Sequence, residues 1–149
     1  MTLKSANHIA IKELSNAEEM YGAYPLVAQM YNKMDFTTYK KNIDEMMLMN
    51  GYKMLAAFDG EKMVGVCGYW LLLMLYCGRY IQISNLVVDK NSRSFGVGKK
   101  ILDHFETMAR KLKCDKVVLD SYTENKKSHS LYYRENFYIR GFHFMKDIG

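Results

Sequence analysis

The sequence predicts an α/β (α+β) fold, a mixed and mostly antiparallel central sheet flanked by helices. Three observations predict it. Residues 52–88 read as three consecutive strands, residues 97–112 switch to a helical period, and a short apolar strand follows at 116–121. A strand–helix–strand passage of this kind needs a parallel crossover, so one parallel pair must be set into an antiparallel meander.

The elements follow in order. Residues 8–14 alternate well enough for a first strand. Ser15 or Asn16 can cap a helix through Glu18, Glu19 and Met20, with Pro25 placing a kink or break inside it. Asp35 opens a second helical stretch that reaches Met49 and stops at Asn50-Gly51. Residues 52–58 and 62–76 are strands around the turn Asp59-Gly60, and residues 80–88 form another. From Gly96 onward Val97, Ile101, Leu102, Phe105, Met108 and Leu112 share one helical face, with Lys99, Lys100, Asp103 and Lys111 largely off it. Residues 116–121 are a short strand, 126–135 a short helix and 137–145 a last strand.

Bulk properties narrow the class. The 149 residues suit one domain spanning 1–149, with 49% apolar and 25% charged residues and no low-complexity linker. The first residues lack the apolar stretch of a secretory signal. The longest uncharged run lies between Lys62 and Arg79, is shorter than the roughly 20 residues of a membrane helix, and contains Gly65 and Gly68. A cytoplasmic protein with no membrane partner is expected. Cys67, Cys77 and Cys114 are odd in number and without metal-ligand spacing, so they read as small buried side chains and no metal site is expected. The net charge of +5 is concentrated: residues 1–89 carry −1, 90–116 carry +5 and 117–149 carry +1. A solvated helix face, a polyanionic ligand and nucleic acid are each compatible with that.

Arg93-Ser94-Phe95-Gly96-Val97-Gly98 lies between a strong strand and an amphipathic helix. Glycines at 96 and 98 let a bound group approach the backbone, although they serve tight turning or helix–strand packing equally well. The first N–H groups of the helix have no intrahelical partner, and the helix dipole adds positive charge there. A pyrophosphate suits that geometry, and Arg93, Lys99 and Lys100 add donors at the same end. The pattern is neither a Rossmann fingerprint nor a P-loop.

Leu86-Val87-Val88-Asp89, a short linker, Arg93 to Gly98 and then Ile101-Leu102 resemble the acetyl-CoA motif of the Gcn5-related N-acetyltransferases. Asn125 to Phe137, with Asn125, Leu131-Tyr132 and Asn136-Phe137, resembles that family's closing helix. Leu119-Asp120-Ser121 and His143-Phe144 are similar to one branch of small acetyltransferases. Asn136 stands where the family usually has Gly, a tolerable exchange because Asn also adopts the left-handed conformation that ends a helix.

The resemblance implies the acyl-CoA N-acyltransferase fold and transfer of an acetyl group from acetyl-CoA to a primary amine of a small molecule or protein, by direct attack. It places pantetheine and carbonyl contacts on the backbone of Leu86, Val87 and Val88. It places pyrophosphate on Arg93, Ser94, Phe95, Gly96, Val97, Gly98 and Lys99. Tyr132 matches the tyrosine that donates a proton to the leaving sulfur, although it could simply pack. Tyr133 faces about 100° away on the helix. Asn125 is an N-cap that the family also uses to touch cofactor or substrate. His129 lies near Tyr132's face of the helix, and chemistry, packing and a solvent-facing place are all open to it. Many relatives have an acid where this chain has Asn85, and an amide cannot act as a base. Water, desolvation of the amine, Asp120, Glu18 and Glu19 all remain open as means of deprotonation. Met46, Met47, Met49, Tyr52 and Trp70 are candidates for the acceptor wall or for core. A homodimer is allowed, and nucleic acid is disfavoured because the basic residues cluster around one anion-binding loop. The competing reading is a non-catalytic acyl-CoA-binding regulator on the same fold, motivated by Asn85.

Overall fold

The computed structural model of the chain describes residues 6–93 and 95–149. Its frame is a five-stranded sheet in the order β1-β2-β3-β4-β5. The strands are β1 (Ile9–Leu14), β2 (Tyr52–Asp59), β3 (Lys62–Met74), β4 (Gly78–Val88) and β5 (Lys116–Leu119). The first four pair antiparallel, and β4 pairs with β5 in parallel. That parallel pair is what the crossover through α4 (Val97–Lys111) imposes.

The two faces of the sheet bury separate helical layers. Leu55, Cys67, Tyr69, Ile81 and Ile83 pack with Val97, Ile101, Leu102 and Phe105 of α4, and α5 (Lys126–Arg134) joins them through Leu131 and Tyr132. On the other face Met54, Ala56, Val66 and Val87 meet Met20, Val27, Tyr39 and Ile43. These come from α1 (Ala17–Tyr21), α2 (Tyr24–Met30) and α3 (Phe36–Leu48). No helix among the described residues is long and apolar enough to cross a membrane.

Two caps form where the sequence puts them. Asn16 Oδ1 accepts from Glu19 N at 2.9 Å, and Asp35 Oδ1 from Thr38 N at 2.7 Å. The first helical stretch is divided, as Pro25 implies, but the break precedes the proline at Gly22-Ala23. Pro25 sits in the first turn of α2, where its missing N–H had no partner to lose.

Two expectations need correction. β3 ends at Met74 and not at residue 76, because the chain must turn back through Cys77 and Gly78, which takes φ +77°. The last strand at 137–145 does not form: the segment is unpaired among the described residues, with Phe142 and Phe144 exposed. An open groove of about 340 Å³, lined by Lys116 and Val117 on one side and Tyr138 and Arg140 on the other, separates it from β5. Alternation alone does not make a strand when no backbone neighbour is within reach.

Candidate active site

The site begins with an irregularity in β4. Cys67 pairs with Leu86 and Tyr69 with Ile83, so Gly68 of β3 answers two residues, Ser84 and Asn85. Such a bulge bends its strand. The pairing of β4 with β5 ends at once, with Ile83 opposite Leu119. From Ser84 to Val88 the edge of β4 turned away from β3 has no strand beside it among the described residues. Gly68 makes the bulge fit: a Cβ there would lie 2.5 Å from Asn85 Oδ1, 2.7 Å from Tyr52 Oη and 2.8 Å from Ser84 Oγ. Asn85 is buried and accepts a hydrogen bond from Ser84 Oγ at 3.0 Å. Tyr52 Oη, also buried, has no hydrogen-bond partner among the described residues, and burial pushes its phenol up.

The expected anion loop follows this open edge. Asp89 fixes its start, accepting from Gln29 Nε2 at 3.1 Å while Lys62 Nζ stands 3.5 Å away. These bonds, the Gln29 amide first, hold its carboxyl below the usual carboxylate range. Arg93 folds back so that its Nε donates to the Val88 carbonyl at 3.2 Å. Ser94 lies outside the described residues, and Phe95 is 41% exposed. Gly96 takes φ +81° as the N-cap of α4, the left-handed region that favours glycine. The first intrahelical bond runs from Lys100 N to Gly96 O at 3.0 Å, so the amides of Val97, Gly98 and Lys99 have no helix carbonyl to meet.

Two of the loop residues make contacts with α5 and its end. A Cβ on Gly98 would come within 3.2 Å of Leu131 Cδ2, so this glycine serves the approach of α5 to α4. The Lys99 ammonium does not point ahead of the helix; it bridges Asp103 at 3.0 Å and Glu135 at 3.3 Å. Both carboxylates, Asp103 foremost, raise its pKa.

The third wall is α5. Tyr132 is half-buried on the core side, packed against the same buried cluster as Leu86 and Val88. Burial pushes its phenol up, against a smaller downward pull from Ser128. Tyr133 is exposed. Asn136 takes φ +66°, and its N–H and that of Phe137 donate back to Tyr133 O and Tyr132 O at 3.1 and 2.9 Å. This is a Schellman cap, with Asn in the glycine position. Asn125 stands at the N-cap, but its side chain makes no capping bond among the described residues. His129 Nε2 contacts Tyr122 O at 2.9 Å, a packing role.

A strand edge opened by a bulge thus leads towards a helix N-terminus, with Tyr132 packed against the same core cluster. The acetyltransferase (GNAT) family model matches residues 17–137. The chain belongs to the GNAT acetyltransferase family.

Relatives agree. An uncharacterized N-acetyltransferase, YhdJ of Bacillus subtilis (strain 168), is 27% identical over 94% of this chain and 99% of its own. A transcriptional regulator from Bacillus halodurans C-125 superposes with a TM-score of 0.82 at 15% identity, covering 95% of this chain and 100% of the regulator. AAC(6')-Iy, solved with the bisubstrate analog CoA-S-monomethyl-acetylneamine, superposes with a TM-score of 0.77 at 15% identity over 95% and 100% of the two chains. These two structures share the fold.

Within this GNAT acetyltransferase the acids left open by the sequence are now separated. Glu19 Oε2 accepts from Ser15 N at 2.7 Å and belongs to the cap of α1. Glu18 stands exposed in the first turn of that helix. Asp120 alone of the three follows the last β4–β5 pair, where Gln82 Nε2 donates to it at 3.2 Å. His143 Nδ1 lies 3.6 Å from the other oxygen of Asp120. The sequence marked His143 only through its similarity to one branch of the family; its proximity to Asp120 depends on how the tail runs, which no local pattern encodes. Trp70 stacks on Tyr52 at 4.9 Å on the same face, while Met47 and Met49 are exposed and Met46 packs into the core.

Proposed function

We propose that this N-acetyltransferase takes its acyl group from acetyl-CoA and passes it directly to a primary amine in the split between β4 and β5. The observation that carries the reading is the unpaired edge of β4 from Ser84 to Val88, which opens directly onto the N-terminus of α4. Along it, the backbone of Leu86, Val87 and Val88 would bind the pantetheine arm as a strand binds its neighbour, and orient the thioester carbonyl. The amides of Val97, Gly98 and Lys99, with Arg93, Ser94, Phe95 and Gly96 before them, would receive the pyrophosphate. Lys99 would act through its N–H, since its ammonium is bridged to Asp103 and Glu135. The Asn125 carboxamide, not spent as a cap, is free of that competing task. Tyr132 would protonate the departing thiolate, and its upward-shifted phenol keeps that proton at neutral pH.

The CoA conjugate bound by AAC(6')-Iy supports the same donor here, through the shared fold. Acceptors of the small-molecule or protein amine class, met in the cytoplasm, are consistent with three free cysteines. A thermal-shift titration followed by a thiol-release screen over amines tests the reading. Acetyl-CoA at 100 times its dissociation constant stabilises the fold by about 2.7 kcal/mol, and Arg93→Ala weakens CoA more than it weakens pantetheine. Absence of any shift at saturating acetyl-CoA rules the donor out.

A further inference from the structure

We propose that His143, held by Asp120, is the base that takes the proton from the attacking amine. The inference rests on acetyl transfer in the β4–β5 split and supplies what Asn85 cannot.

A row of side chains crosses the mouth of the split. Gln82 Nε2 donates to the Ile83 carbonyl and to Asp120 Oδ2, each at 3.2 Å. Asp120 Oδ1 faces His143 Nδ1 at 3.6 Å. Ile83 is the last residue of β4 paired with β5, and Asp120 is the first beyond β5. Asp120 therefore stands one strand step, about 3.3 Å, past the last β4–β5 pair, and Gln82 one step before it. Val117 and Leu119 pack on the α4 side, as Ile81 and Ile83 do. Alternation turns Gln82 and Asp120 to the opposite face. An amine arriving there approaches the thioester from the side opposite α4 and Tyr132, so the base and the proton donor are on different faces.

The two groups divide the work. A carboxylate beside Nδ1 orients the ring and leaves Nε2 for the substrate. The 3.6 Å separation is an ion-pair distance, and contacts of this kind tighten when substrate fills a site. Solvent reaches His143, whose side chain is 61% exposed. Tyr80 also feels the charge of Asp120, but burial foremost lifts its phenol to about 12, so it adds no charge near neutrality. In the step itself an ammonium N–H bond breaks and an Nε2–H bond forms. The freed nitrogen lone pair forms the C–N bond at the thioester carbonyl, the C–S bond breaks, the thiolate takes its proton from Tyr132, and the second proton lost by the nitrogen as the amide forms passes through solvent to restore the Tyr132 phenol. The imidazolium then returns its proton to solvent.

Ethylamine and 2,2,2-trifluoroethylamine are the probes, because the first is protonated at neutral pH and the second is not. His143→Ala should lower kcat/KM for ethylamine by about 10²-fold or more, with trifluoroethylamine nearly unaffected and acetyl-CoA affinity unchanged. Asp120→Asn, a change at a positioning residue, should lower kcat/KM for ethylamine and leave that for trifluoroethylamine nearly unchanged; a structural role would lower both. Equal losses with both amines, or no loss with either, overturn the proposal. So does a wild-type enzyme that binds acetyl-CoA yet releases no thiol with ethylamine, since a base this exposed must serve a small amine. Failure to bind acetyl-CoA is the distinct result that removes the donor reading instead.

Discussion

Tyr132 is placed by the turn that ends its own helix. The Phe137 N–H returns to the Tyr132 carbonyl, and the two rings meet edge to face with centroids 6.0 Å apart. Removing only the hydroxyl should therefore spare the fold. Tyr132→Phe is expected to reduce kcat by 10²- to 10⁴-fold when thiolate departure limits the rate, with acetyl-CoA affinity and melting temperature unchanged; Tyr133→Phe is the mild control. Asn136 in the left-handed conformation was legible, because few residues besides Gly tolerate it. Lys113, at φ +56° after α4, was not, because lysine carries no such signal. Its N–H and that of Cys114 close the same kind of cap on Arg110 O and Ala109 O. Lys113→Gly should relieve the strain and raise stability by about 0.5–1 kcal/mol, read from urea midpoints.

At the scale of elements, Asp89 joins the end of β4 to the anion loop. Its carboxylate accepts from Gln29 of α2, Asn91 N approaches it at 3.5 Å, and Gln29 Oε1 in turn accepts from Lys90 N at 3.0 Å. The sequence showed this residue as a motif letter, but its partner sixty positions away was invisible, since only the fold brings α2 against β4. Asp89→Asn should cost about 1.5–3 kcal/mol at pH 7 and weaken acetyl-CoA binding. The sign with pH is fixed by the lowered folded pKa. Stability from this group is complete above the unfolded carboxylate value near 3.9 and fades as pH falls through the lower folded value. The stability difference between wild type and Asp89→Asn should therefore begin to close only as pH falls below about 4.

Across the whole molecule, features carried by local pattern and pairing of neighbours could be read ahead: the meander, the amphipathic α4, the parallel crossover. Features set by distance could not. The tail at 137–145 alternates like a strand yet lies a groove away from β5, and a strand exists only where another backbone answers it. Lys99 was counted among the phosphate donors on charge and position, whereas α5 supplies Glu135 to neutralise it. The open edge of β4 was implied by motif and not by pattern, because a bulge leaves the apolar alternation nearly intact on both sides of Ser84-Asn85.

The bulge also sets how this chain would answer a deletion. Ile81 and Ile83 face α4, and so do Leu86 and Val88, two odd numbers followed by two even ones. Losing one codon at Ser84 would restore unbroken parity without turning any of the four away from α4. Every core contact downstream could be kept while β4 straightened and continued beside β5. A protein lacking Ser84 should thus fold with undiminished melting temperature and bind acetyl-CoA poorly. The split between β4 and β5 is, in this sense, a frame shift of the strand that Gly68 makes room for.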